Sequence, residues 1–152
     1  MKGGGNMQNF NYHSHTERCG HAVGSDEAYV KEAIKNGYRY MGFSDHAPYC
    51  NGDAPGERMR VEELADYVSS VRKLQHTYQD QIEIRLGMEI EYFEEQLDEL
   101  MQYKEEMDYL ILGQHGPALY APEFYDNNCY FTGSVFDVNV WNIIFCFSGI
   151  SK

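Results

Sequence analysis

Histidine, glutamate and aspartate recur in short clusters through the first 115 residues of this chain. These are the side chains that hold divalent cations and move protons. The first cluster is Tyr12-His13-Ser14-His15. Residues i and i+2 of an extended segment project to one side, so these two imidazoles can chelate a single ion. Cys19-Gly20-His21 follows. Gly20 permits a sharp turn that returns His21 toward a neighbouring metal, whereas Cys19 suits a small buried thiol better than a ligand. Gly42-Phe43-Ser44-Asp45-His46 offers His46 as a ligand. Asp45 beside it is either a weak ligand or an acceptor that orients an imidazole. In Gly87-Met88-Glu89-Ile90-Glu91 the two carboxylates share one face, and a carboxylate can bridge two metals. Leu112-Gly113-Gln114-His115 ends an apolar run on another imidazole.

Each cluster alone has an ordinary explanation. His13 and His15 could be unrelated polar residues, Asp45 could cap a turn, Glu91 could face solvent and His115 could be structural. The ordered recurrence on successive elements is what points to a metal centre. His76 lies in the polar stretch Arg72 to Gln81 at a helix end and is read as solvated. The sequence shows no nucleophile elbow, no Walker loop and no GxGxxG.

The elements that must position these groups follow from periodicity. Asn9 to His13 reads as a strand. Ser25 or Asp26 caps a helix that runs to about Asn36 and stops at Gly37. Tyr38 to Ser44 reads as a strand, and Asp45 to Arg60 as a Pro- and Gly-rich loop. Val61, Leu64, Ala65, Val68, Val71, Leu74 and Tyr78 recur at helical spacing. Ile82 to Tyr92 is a strand with Gly87 inside it, Phe93 to Met107 an amphipathic helix, and Asp108 to Gly113 a buried strand. Strand and helix alternate, which implies a parallel sheet covered by helices at the pace of a (β/α) barrel. Each chemical cluster then falls at or just past a strand's C-terminal end, where such folds gather their functional groups. Gly116 to Gly133 is loop-like, and Ser134 to Lys152 has no clean period.

Composition sets further bounds. The 152 residues suit one domain, and 43% hydrophobic residues with 13 Tyr and 8 Phe exclude a disordered chain. The net charge of −12 disfavours binding to a nucleic-acid backbone, while clustered cations would still attract a small phosphorylated substrate. Cys19, Cys50, Cys129 and Cys146 match neither a zinc ribbon nor CxxC, and no apolar leader or membrane-length run is present, so the expectation is a cytoplasmic protein with free thiols and no membrane partner.

These clusters, in this order, resemble the PHP (polymerase and histidinol phosphatase) family. Tyr12-His-Ser-His-Thr-Glu-Arg-Cys-Gly-His-Ala22 is similar to the first motif of its histidinol-phosphatase branch. Gly42 to Pro48, Gly87 to Tyr92 and Leu110 to His115 are similar to the following motifs. The resemblance implies an α/β fold, the N-terminal part of a distorted (β/α)7, TIM-like barrel, with up to three divalent metals at its mouth. Zinc, iron and manganese are the implied occupants. By resemblance His13 and His15 hold the first metal, Glu89 bridges the first and second, His115 holds the second, and His21 and His46 hold the third. Arg18 is a candidate to steer the phosphate, and Asp45 a candidate to orient a ligand. The implied reaction is hydrolysis of L-histidinol phosphate to L-histidinol and phosphate, in histidine biosynthesis. Clustered cations suit it because a phosphate monoester resists water, and cations neutralise its oxygens and acidify a bound water.

The family pattern continues with another strand-end His and an Asp-x-His, and this chain has no histidine after His115. Residues 1–8 are therefore expected to be a leader, 9–133 a partial PHP domain and 134–152 a divergent tail, in a C-terminally truncated chain. Two other readings stand beside the phosphatase: another PHP phosphoesterase or nuclease, which the acidic charge and the Cys19-Gly20-His21-Ala22 element disfavour, and a metal-binding fragment without activity.

Overall fold

Asn11 ends the first strand almost as soon as it begins. Its side-chain carbonyl accepts the His13 N–H at 2.9 Å, a local bond that competes with the sheet ladder. Strand β1 is thus only Phe10–Asn11. The chain beyond it still follows its neighbour: the Ser44 N–H donates to the Ser14 carbonyl at 2.9 Å, and the Ser14 hydroxyl donates to the Gly42 carbonyl at 2.8 Å. The computed structural model describes residues 9–49, 56–91 and 96–113 in full, together with the backbone of 143–145.

Helix α1 spans Asp26–Lys35, with Ser25 as its N-cap accepting the Ala28 N–H. Gly37 beyond it takes a φ of +80°, as expected of a C-terminal stop. Strand β2 is Tyr40–His46. A short 3-10 turn, Val61–Glu63, leads into helix α2, Leu64–Tyr78. Strand β3 is Glu83–Ile90, helix α3 Leu97–Glu106, strand β4 Tyr109–Leu112 and strand β5 Ile143–Phe145.

The sheet order is β1-β2-β3-β4-β5. The first four strands are parallel, joined by right-sized helical crossovers, and form the curled start of a barrel. Strand β5 departs from that pattern: it pairs antiparallel with β4, Leu112 against Ile143. The other expectations for 116–133 and 134–152, for the leader 1–8, and for Cys50, Cys129 and Cys146 lie outside the described residues.

Strand alternation separates the two faces. Met41, Phe43, Ile84, Leu86, Met88, Ile90 and Leu110 join one core with Val30, Tyr67, Val71, Leu74, Tyr78, Tyr103 and Met107 from the helices. The opposite face carries Gly42, Ser44 and His46 on β2, Gly87 and Glu89 on β3, and Tyr109 and Ile111 on β4, in the registers Ser44↔Gly87↔Tyr109 and His46↔Glu89↔Ile111. The second register matters most, because it sets His46 directly beside Glu89 across the ladder.

Helix α2 is locked to the sheet by Asp108, just before β4. Its carboxylate accepts from Arg72 at 2.7 Å, from Gln75 at 2.8 Å and from the Leu86 N–H at 2.8 Å. Burial alone would raise this carboxyl, but the Leu86, Arg72 and Gln75 hydrogen bonds outweigh it and hold Asp108 below its ordinary value.

Candidate metal centre

The donors meet where β1, β2 and β3 end. His13 Nε2 lies 2.9 Å from Glu89 Oε2, and His15 Nε2 lies 3.2 Å from His13 Nε2 and 3.4 Å from Glu89 Oε2. His46 Nδ1 approaches the same Glu89 oxygen at 3.5 Å. The Glu89 side chain is 2% exposed, so its carboxyl group sits in a buried, imidazole-lined hollow.

That spacing suits a cation. Donors on neighbouring corners of a tetrahedral zinc ion with bonds of about 2.0–2.1 Å stand about 3.3 Å apart. The His13, His15 and Glu89 atoms already occupy three such corners to within a few tenths of an ångström. Two imidazoles and a buried carboxylate are also a chemically apt donor set for zinc, iron or manganese.

A second group forms around the same imidazole. His15, His21 and His46 bring one ring nitrogen each within 4.8 Å of one another. The His15 and His46 rings stack at 4.6 Å, and His21 meets His46 edge-on at 4.8 Å. Gly20, at φ +80°, makes this possible by reversing the chain after the Glu17–Cys19 turn. A Cβ there would also press against the backbone of Gly56.

Asp45 closes the set from behind. It is fully buried, with Oδ1 3.6 Å from His15 Nδ1. The Thr16 hydroxyl bonds its other oxygen, and the Thr16 N–H bonds Oδ1 at 3.3 Å. Burial alone would raise the Asp45 carboxyl, but hydrogen bonds from His15, Cys19 and Thr16 outweigh it and hold it below the usual range. A carboxylate in this position favours a proton on His15 Nδ1 and leaves Nε2 open toward His13 and Glu89. Cys19 is fully buried, its sulfur 3.6 Å from His15 Nδ1 and 3.5 Å from His21 Nδ1. Burial, then the Asp45 carboxylate, push its thiol up to about 12. Cys19 and Asp45 with His15 form a further possible cation group.

Sequence and structure differ at several points. His46 was expected in a loop, and it is instead the last residue of β2, because pairing with β3 extends through Glu89. His13 was expected to end the first strand, and it lies two residues beyond it, in a segment held by the Asn11 and Ser14 bonds. Arg18 was expected to face a phosphate. Its guanidinium instead bonds Asp26 at 3.0 Å and Asp66 at 2.6 Å, because two carboxylates on α1 and α2 already compensate its charge. Glu91 does not face solvent: it is buried and accepts from Arg58 at 2.8 Å. His76 is exposed on α2, as read. His115 lies outside the described residues. Sequence reasoning missed Thr16, whose role depends on a partner 29 residues away, and Gly113, where a Cβ would fall on the Glu89 carboxylate.

Residues 11–141 match the PHP domain. The chain belongs to the PHP family. Its PHP relatives include the Bacillus subtilis histidinol-phosphatase, 30% identical over 121 residues and covering 74% of this chain but 41% of that protein. A Schizosaccharomyces pombe protein named "Probable histidinol-phosphatase" is 31% identical over 137 residues, covering 74% of this chain and 42% of that one. A Deinococcus radiodurans protein of the same name is 35% identical over 81 residues, 53% of this chain and 31% of that one. The chain thus spans less than half the length of these relatives. Among solved structures, a Listeria monocytogenes chain bearing a histidinol phosphatase name superposes with a TM-score of 0.63 at 26% identity, over 70% of this chain and 44% of that one. A Lactococcus lactis histidinol phosphate phosphatase, complexed with zinc, L-histidinol and phosphate, shares the fold with a TM-score of 0.60 at 23% identity, over 72% of this chain and 41% of that one. The curled β1–β4 sheet is therefore part of a PHP barrel. No helix among the described residues is long and apolar enough to cross a membrane.

Proposed function

We propose that this chain carries the metal centre of a phosphomonoesterase that hydrolyses L-histidinol phosphate to L-histidinol and phosphate. The observation that carries this reading is the His13, His15 and Glu89 triangle, whose edges of 2.9, 3.2 and 3.4 Å match the corners of a tetrahedral cation site. The names of the relatives supply the substrate, a small phosphorylated amino alcohol.

In this reading His13, His15 and Glu89 would hold one divalent ion, and His46 and His21 would hold another. His115, which lies outside the described residues, is assigned to the second metal by family resemblance alone. Bound divalent ions supply Lewis acidity toward the phosphate oxygens and the attacking water. Zinc, manganese and iron all fit donors of this kind. The residues of the chain do the rest. Asp45 and Thr16 fix the His15 ring, so that its donor nitrogen keeps one direction. Glu89, buried and within reach of three imidazoles, would gather the cations on the side of the sheet where the histidines converge. Arg18 is bonded to Asp26 and Asp66 and joins α1 to α2.

The test is phosphate release from L-histidinol phosphate by the chain supplied with manganese or zinc. Release that falls to the uncatalysed background in His13→Ala and in Glu89→Ala is the expected result. Release that persists undiminished in both variants would place the chemistry elsewhere.

A further inference from the structure

Strand β4 opens on a tyrosine that is not itself one of the proposed metal donors. Tyr109 is 5% exposed and sits opposite Gly87 in the parallel ladder, on the face that bears Glu89. An ordinary side chain at residue 87 would exclude it. A Cβ on Gly87 would fall within the Tyr109 ring, and a Cβ on Gly42 would fall on its hydroxyl. A glycine inside a strand often marks such a close approach. Two glycines on adjacent strands therefore clear a corridor, and the Tyr109 side chain lies along it, from β4 over β3 and β2 toward the end of β1.

At the far end the phenol O–H meets backbone. It lies 2.6 Å from the Tyr12 carbonyl and 3.1 Å from the Phe43 carbonyl. The Tyr12 ring packs edge-on against the Tyr109 ring, centroids 5.7 Å apart. The Tyr12 carbonyl belongs to the same peptide unit as the His13 nitrogen. Because that unit is planar, a group that fixes this oxygen fixes the direction in which the chain enters His13. Strand β1 itself supplies little of that control, since its ladder with β2 covers only Phe10 and Asn11.

We propose that Tyr109 is a positioning residue for the His13–His15 pair, a strap that runs through the Gly42–Gly87 corridor and holds the Tyr12 peptide in the setting that cation binding requires. This rests on the reading that His13, His15 and Glu89 take a divalent ion. It differs from an ordinary packing role in what it predicts: loss of the hydroxyl alone changes metal affinity in a protein that stays folded.

The experiment titrates zinc into the metal-free chain against a competing chelator, below the melting temperature of every variant. Tyr109→Phe keeps the ring and removes only the hydroxyl. It is expected to weaken zinc binding about tenfold, in the range seen when an outer partner of a metal ligand is lost. Gly87→Ala, which blocks the corridor, is expected to do the same. Tyr78→Phe is the comparison, because it loses a phenol bond of 2.6 Å to Glu27 between the helices. It is expected to lower the melting temperature and leave zinc affinity within about twofold of the parent, as for sites with no shared partners. Imidazole nitrogen spectra of the metal-free protein supply a reading independent of zinc: His13 and His15 signals shift in Tyr109→Phe, while the His76 signal does not. Zinc affinity and imidazole signals both unchanged in Tyr109→Phe would overturn the strap. If His13→Ala leaves zinc binding intact, the metal reading fails instead, and the imidazole spectra still decide whether Tyr109 sets the histidines.

Discussion

Glu89 gathers the site around one carboxylate. One of its oxygens lies within 3.5 Å of nitrogens from His13, His15 and His46. Its other oxygen sits where a Cβ on Gly113 would fall, so the glycine after β4 gives this carboxylate its room. Gly113→Ala is accordingly expected to displace Glu89 and weaken zinc binding by about 10- to 100-fold, measured by chelator competition. Unchanged affinity would show that the carboxylate does not depend on that space. At this scale much was legible in the sequence. His13, His15, His21, His46 and Glu89 were all singled out by type and by strand-end position, and the structure brings them together. Thr16, Tyr109 and Gly113 were not, because each acts through a partner that only the folded register supplies. Gly87 and Gly42, each inside a strand, were the local signs of the corridor. The pairing of Arg18 with Asp26 and Asp66 was not legible either, because it depends on how α1 and α2 come together.

At the scale of elements, Asp108 ties β4, β3 and α2 into one unit through Arg72, Gln75 and the Leu86 N–H. Its carboxyl is held below its ordinary value, so it binds a proton less readily folded than unfolded. The stabilisation is therefore complete above the unfolded carboxyl range, about pH 4, and is lost as pH falls through the lower folded value. Asp108→Asn keeps the shape but turns an amide toward Arg72. It is expected to cost about 1–3 kcal/mol at pH 7, toward the low end because Arg72 is partly in solvent. The gap between variant and parent should close in urea titrations carried below about pH 4. A gap that does not vary with pH would assign Asp108 a packing role only. The order of helices and strands was readable from periodicity, since Val71, Leu74 and Tyr78 on α2 do face the core. Strand ends were less so. Strand β2 runs on to His46 because β3 offers it a partner, and β1 stops at Asn11 because its side chain takes the His13 N–H. Neither competition is visible in propensity.

Across the whole molecule, four parallel strands of a PHP barrel bring together histidines from the segment after β1, from the chain just past the Cys19 turn and from β2 with a glutamate from β3. The donors come from segments as much as 76 residues apart, so the centre exists only when the sheet has formed. Metal binding and folding are therefore linked, and bound zinc should stabilise the folded chain. The antiparallel β5 was not foreseen from the low-charge tail, which shows no strand alternation. The central claim is that His13, His15 and Glu89 take a divalent ion. Zinc-edge X-ray absorption on the chain loaded with one zinc per molecule tests it most directly. The predicted result is a shell of nitrogen and oxygen at about 2.0–2.1 Å with imidazole scattering, reduced in His13→Ala and Glu89→Gln. A sulfur neighbour at about 2.3 Å, or a spectrum unaltered by both substitutions, would contradict it.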